Sequence, residues 1–215
     1  MKKLLFIAFT LIIPFFLQAQ NAKYQKAMGQ ALTEMKSAKD AESLQKLAND
    51  FGRIAQAETT EWLPAYYQSL SYMQLSLLAM SENPSKLGAL LEEAQKALDQ
   101  AMDISPNNSE LLTLQGYIYI GHIWMDPMTN GAKYSPIVGS TLATAMELDP
   151  NNPRPYYLQA MNIYFTPEFY GGGANKALPI FEKAESLFES FELASPFHPQ
   201  WGADGNAEML AQIRG

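Results

Sequence analysis

The sequence predicts an all-α chain built as a stack of helical hairpins, and three observations predict it. The first is an internal echo. Pro106-Asn107-Asn108-Ser109-Glu110-Leu111-Leu112-Thr113-Leu114-Gln115-Gly116 returns 44 residues later as Pro150-Asn151-Asn152-Pro153-Arg154-Pro155-Tyr156-Tyr157-Leu158-Gln159-Ala160, with no gap. A repeat of that length is one supersecondary unit, which buries its apolar face by stacking on its neighbours. The second is apolar spacing at helical period between recognisable caps. The third is that nothing in the chain reads as a strand.

The elements follow in order. A first helix is expected over about 22–38, with Tyr24, Ala27, Met28, Ala31, Leu32 and Met35 on one face. Asp40 caps a second, whose apolar stripe is Leu44, Leu47, Ala48, Phe51 and Ile54. A third, dense in apolar and aromatic residues, runs from about Glu61 to Met80. Asn83-Pro84 sets a cap before a proline at the first helical position and opens a fourth, to Asp103. Asn107 with Glu110 three residues on reads as a capping box for a fifth, to about Trp124. Ser135-Pro136 starts the sixth and Asn152-Pro153 the seventh. Asn175 caps the eighth, leaving Pro179 in the first turn, where its missing N–H costs little. A short last helix covers about 205–213.

Ahead of these elements stands a targeting segment. Lys2 and Lys3 precede an apolar run, Leu4 to Phe16, too short to span a bilayer as a helix. Leu17-Gln18-Ala19 offers a small residue at the cut, so residues 1–19 read as a signal peptide and Gln20 as the start of the mature chain. No Cys follows the apolar run, which excludes a lipid on an N-terminal cysteine. The protein is therefore expected in the periplasm, with secretion beyond the cell left open. The chain has no cysteine at all, so an exported form must rest on its apolar core. Its net charge is −7, and −9 once the two leader lysines are lost. That speaks against nucleic acid and anionic membrane surfaces as partners. No Pro-, Gly- or Ser-rich linker divides residues 20–215, which read as a single domain.

The second helix of each hairpin carries a fixed pattern. Ala94, Leu98, Ala101 and Pro106 are repeated in spacing by Val138, Leu142, Ala145 and Pro150. Ala177, Phe181 and Ala184 follow once more, with Glu189 where the proline would stand. In the first helices Ser69, Gly116 and Ala160 hold a small position, and Tyr72, Tyr119 and Ile163 a large one three residues on. This pattern resembles the tetratricopeptide repeat (TPR). It departs from it at Ala65, Leu112 and Tyr156, where that family starts with a tryptophan-type residue, and its unit exceeds the usual length of about 34 residues. The resemblance implies a right-handed superhelix: a degenerate hairpin over 22–57, repeats over about 61–106, 107–150 and 151–194, and a C-terminal cap over 195–215. The whole chain also looks like exported repeat proteins of the Bacteroidetes type.

Catalytic signatures are missing. There is no phosphate loop, no Gly-x-Ser-x-Gly and no His-Glu-x-x-His, so no enzyme activity, metal or cofactor is expected. His122 and Asp126 stand four apart, which alone makes no metal site. The resemblance implies a concave groove lined by first helices. Carried over, its residues are Tyr66 and Leu70, then Glu110, Thr113 and Tyr117, then Arg154, Tyr157, Met161 and Tyr164. Tyrosines suit recognition, and Arg154 would orient a carboxylate; the bland reading is that these side chains fill space between hairpins. Three connections add to them. The segment 124–134 offers Trp124, Met128 and Tyr134 for an apolar contact. The segment 166–173 offers Tyr170 and the backbone of Gly171, Gly172 and Gly173 to an anion. The tail 195–202 would seal the open end of the stack with Phe197 and Trp201.

The leading expectation is a non-catalytic periplasmic module that holds a protein or peptide partner in its groove. The alternative is a small-molecule binding protein, an accessory to transport, whose loop at 124–134 closes over an aromatic pocket.

Overall fold

The structure, a computed structural model, describes residues 22–215. The expected leader over 1–19 lies outside the described residues. Those described are helical nearly throughout, and none is in a strand. Helix α1 runs through 22–35. It is followed by α2 (Ala41–Ala57), α3 (Trp62–Glu82), α4 (Leu87–Ile104), α5 (Ser109–Met125), α6 (Pro127–Leu148), α7 (Pro153–Phe165), α8 (Ala174–Ser190) and α9 (Ala203–Arg214). Single 3-10 turns at Pro84–Lys86 and Glu168–Tyr170 precede α4 and α8.

The caps explain most of the boundaries. The Asp40 carboxylate accepts from the Ser43 amide at 2.8 Å, and Ser43 Oγ accepts from the Asp40 amide at 3.4 Å, closing a capping box on α2. Asn108 caps α5 by accepting from Glu110 N at 2.9 Å, and Asn152 caps α7 by accepting from Arg154 N at 3.1 Å. The two echoed segments therefore start their helices in the same way. The expected capping box at Asn107 does not form, because the cap is one residue later and the Glu110 side chain turns inward.

Two other expectations fail. The segment 124–134 is not a loop. Helix α5 continues through Met125, and α6 begins at Pro127, where the missing N–H costs nothing and Asp126 accepts from Thr129 N at 3.2 Å. Pro136 consequently lies inside α6. Helix α8 starts at Ala174 after Gly173, so Pro179 sits beyond its first turn.

Packing follows the repeat. Helices α3 and α4, α5 and α6, and α7 and α8 pair, and α3, α5 and α7 lie side by side. Ala94, Leu98, Ala101, Val138, Leu142, Ala145, Ala177, Phe181 and Ala184 are all fully buried. Truncating Leu98 or Leu142 to Ala should cost about 2–5 kcal/mol each. The small position of the first helices has a visible cause: a Cβ on Gly116 would lie 2.6 Å from Leu142 Cδ2. Hydroxyls bind the first two pairs across their interfaces, Ser69 Oγ donating to the Ala94 carbonyl and Ser109 Oγ to the Ala145 carbonyl, both at 2.8 Å. Tyr24, Met28 and Ala31 of α1 join the core of α2 and α3. No helix among the described residues is long and apolar enough to cross a membrane.

Candidate functional site

The face formed by α3, α5 and α7 is not an open groove, because the segment 191–202 lies across it. Tyr67 donates from its hydroxyl to the Phe197 carbonyl at 2.9 Å, and the Phe197 ring meets Tyr24 edge-on. Trp201 Nε1 donates to the Tyr66 hydroxyl at 2.7 Å, while its ring stacks on Tyr117. Gly202 then turns with φ 105°, beside Phe188 and Tyr157, and starts α9. Phe197 and Trp201 thus cover the inner face of the stack rather than its end.

This covering corrects much of the expected groove. Tyr66, Leu70, Glu110, Thr113 and Arg154 are buried. Burial also holds the Tyr66 and Tyr117 hydroxyls well above their ordinary pKa, so both stay protonated. Thr113 Oγ1 donates to the Ser109 carbonyl of its own helix. Tyr157, Met161 and Tyr164 are partly buried against α8 and α9. Arg154 has no free guanidinium for a partner's carboxylate. Its Nε donates to both Glu110 oxygens at 3.0 and 2.8 Å, and its Nη2 contacts Glu110 Oε1. Asn152 Nδ2 donates to Glu110 Oε1 at 2.9 Å, and the Phe191 ring lies over the guanidinium. His198 Nε2 stands 3.3 Å from Glu110 Oε1, within ion-pair range but without the alignment of a hydrogen bond. Burial alone would raise the Glu110 carboxyl; His198 and Arg154 more than offset it and hold the group below its usual range.

What the tail leaves exposed is one edge. The C-terminal ends of α3, α5 and α7 and the residues after them carry Leu77, Met80, Met125, Met128, Phe165, Phe169 and Tyr170. These are seven of the ten exposed large apolar side chains among the described residues, and all seven stand at or just after the C-terminal ends of three neighbouring helices. Met128 is 92% exposed, Phe169 79% and Tyr170 75%. Behind them, His122 stacks on Tyr134 at 5.0 Å, Tyr134 lies 6.0 Å from Tyr119, and Lys133 Nζ sits 4.6 Å over the Tyr134 ring. Burial, then Lys133, holds the His122 imidazole below its usual pKa, so it is neutral at pH 7. Trp124 packs edge-on to Tyr117, between this edge and the covered face.

The sequence reading named Trp124, Met128, Tyr134 and Tyr170 but missed Phe165 and Phe169. The available signal was an aromatic pair, Phe169-Tyr170, inside a Pro- and Gly-bounded turn. It also misjudged the glycines. Gly171 N donates to the Glu168 carbonyl, Gly172 N to Pro167 and Gly173 N to Ile163. All three amides are used within the turn, so they form no anion cradle. Two surface clefts lie against α1 and α2, with linings that include Lys46, Asp50 and Arg53, and share no residue with the apolar edge.

Comparison with known proteins adds one relative. No protein-family model matches the chain, and no curated protein matches it. Among solved structures, the HusA haemophore from Porphyromonas gingivalis is similar, with 30% sequence identity and a TM-score of 0.78. The match covers 89% of this chain and 92% of that one. The chain belongs to the HusA family.

This HusA relationship overturns the leading expectation. The relative is a haemophore, not a peptide-binding module, and in this chain the face meant for a peptide is filled by residues 191–202. The small-molecule alternative is the reading that the family favours.

Proposed function

We propose that this HusA-family protein binds haem as cargo on the apolar edge at the ends of α3, α5 and α7. The observation that carries the proposal is the concentration of exposed aromatic and methionine side chains there, in a chain related to a haemophore. Haem is a flat ring with two large apolar faces. Phe165, Phe169 and Tyr170 offer stiff rings to such a face, and Met125 and Met128 adapt to its outline. The donor chemistry also fits. Neutral His122, Met125, Met128 and Tyr170 are of the residue types that ligate haem iron. A bound haem would supply its own iron and ring chemistry; the protein's part is to hold the ring and shed water from its faces.

In this reading the protein turns nothing over and releases its cargo unchanged. We further infer that its hairpins are divergent TPR repeats wound as a right-handed superhelix, and that the leader over 1–19 exports the chain, as a haem carrier working outside the cytoplasm requires.

The test is titration of the apo protein with haem, followed by Soret absorbance and by quenching of tryptophan fluorescence. Saturable 1:1 binding with Kd below about 1 μM is expected, and haem recovered afterwards should have its starting spectrum. Absence of saturation at about ten times that concentration would sink the proposal.

A further inference from the structure

The chain has no cysteine, so its readily oxidised sulfur is all in methionine thioethers. Those thioethers are unevenly placed. Met28 and Met73 are fully buried, and Met35, Met102, Met146, Met161 and Met209 are partly buried. Met80, Met125 and Met128 are exposed, and all three stand on the apolar edge. Met80 lies in the last turn of α3, Met125 ends α5, and Met128 is the second residue of α6. Leucine would offer an apolar surface of similar size, as Leu77 does one turn before Met80. What methionine adds is a flexible arm and a sulfur atom open to oxidants.

Resting on the haem-binding reading above, we propose that Met80, Met125 and Met128 form an oxidation site that sets how tightly the edge holds its cargo. The oxidant is a peroxide, which gives one oxygen atom to each thioether. The sulfur attacks one peroxide oxygen, the O–O bond breaks and an S–O bond forms. The proton on the transferred oxygen moves to the other oxygen, which leaves as water. The sulfur loses two electrons and the peroxide gains two. The product is a sulfoxide, a polar acceptor standing where a flat apolar ligand would bury it. Burying that acceptor without a donor costs binding energy, so the oxidised edge holds its cargo less tightly. Reduction of the sulfoxides restores the apolar surface. Met28 and Met73 lie out of reach in the core, so an oxidant that changes the edge leaves the fold intact.

The experiment treats the full apo protein with dilute hydrogen peroxide, removes the oxidant by gel filtration, and maps oxygen gain at each methionine by peptide mass spectrometry. Haem is titrated only after the peroxide has gone. Met80, Met125 and Met128 should oxidise first, each at least about tenfold faster than Met28 or Met73. Full conversion of the three should weaken haem binding about tenfold with Tm unchanged. Methionine sulfoxide reductases for both epimers, with a thiol reductant, should restore it. A variant carrying Met80→Leu, Met125→Leu and Met128→Leu should bind haem equally before and after peroxide, whatever its starting affinity. A variant carrying Met102→Leu and Met146→Leu, partly buried positions in the last turns of α4 and α6, should lose affinity as wild type does. The assignment is overturned if other methionines oxidise first, or if conversion of the three leaves affinity unchanged. It is overturned equally if the triple leucine variant still loses affinity to peroxide. In those outcomes the untreated protein still binds haem and the haem reading stands. If the untreated protein binds no haem, both readings fall together.

Discussion

Arg154 is the partner of Glu110, and the two stand at the same position of successive repeats. The echo that aligns Pro106 with Pro150 aligns Glu110 with Arg154, 44 residues apart in the chain and joined in the core. Their side chains are 1% and 4% exposed. The repeat thus uses one site twice with opposite charge, and neighbouring hairpins are keyed by the pair. Asn152 completes the key, capping its own helix through Oδ1 while donating to Glu110 through Nδ2.

Removing one member should be costly. Arg154→Ala leaves a buried carboxylate without its main partner and should lower stability by about 3–5 kcal/mol in urea denaturation. Replacing both, as Glu110→Met with Arg154→Leu, should restore most of that loss, because a buried ion pair is worth little against a well-packed apolar pair. A single-variant loss below about 1 kcal/mol would mean that water or His198 replaces the guanidinium.

The same pair sets an acid limb. The Glu110 carboxyl is held below its ordinary value of 4.5 in the folded state. A depressed carboxyl contributes stability that is fully present above the unfolded value and lost as pH falls through the folded one. Stability should therefore decline below about pH 4.5, and Glu110→Gln should flatten that decline while lowering stability at pH 7. Denaturant midpoints between pH 7 and pH 3 check this. A parallel decline in both proteins would assign the limb to other carboxylates.

The tail across the inner face makes a separable prediction. Trp201→Ala removes a ring stacked on Tyr117 and the donor to the Tyr66 hydroxyl, leaving a buried hydroxyl without its donor. The cost should be about 2–4 kcal/mol, below that of a fully buried tryptophan. Hydrogen exchange should quicken over 191–202 more than in α4 or α6. Uniform quickening would mean that the segment is part of the global core rather than a strap laid upon it.

How far all this could be read from sequence depends on what each feature rests on. Helix existence rests on local periodicity and caps, and Asp40, Asn152 and the small–large–small pattern of Ala94, Leu98 and Ala101 disclosed it. Boundaries near proline were less legible. Asn83-Pro84, Asp126-Pro127 and Ser135-Pro136 look alike locally, yet the first opens a 3-10 turn, the second opens α6 and the third lies inside α6. The inner face was misread because its occupant is distant in sequence: Tyr66 and Trp201 are 135 residues apart, and no local pattern pairs them. The edge was half legible. Met128 and Tyr170 betrayed themselves as large apolar residues among turn signals, whereas Phe165 read as the end of an ordinary helix.

Gly172 gives a test of the turn that presents Phe169 and Tyr170. A Cβ there would overlap the Thr166 carbonyl oxygen and come within 2.5 Å of the Ile163 carbonyl oxygen. Both are backbone atoms, which cannot swing aside. Gly172→Ala should therefore cost about 2–3 kcal/mol and displace the two aromatic residues, so stability and haem affinity should fall together. Gly131→Ala, whose Cβ meets nothing within 4 Å, should do neither. Tolerance of Ala at 172 would mean that the turn opens readily.

The edge itself is tested by exchanging its rings without touching the core. Phe165, Phe169 and Tyr170 are mostly exposed, so replacing all three with Ser removes little folding energy and should shift Tm by only a degree or two. If each ring covers part of a haem face, burial at about 25 cal/mol per Å² over some 40 Å² gives about 1 kcal/mol per ring. The triple variant should then bind haem about a hundredfold more weakly at unchanged stability. The comparison that decides is with Leu148 and Leu193, exposed apolar residues outside the edge. Replacing those with Ser should leave haem binding intact. Equal losses from both sets would show that haem adsorbs wherever the surface is apolar, and only a loss confined to the edge marks it as the place where cargo is held.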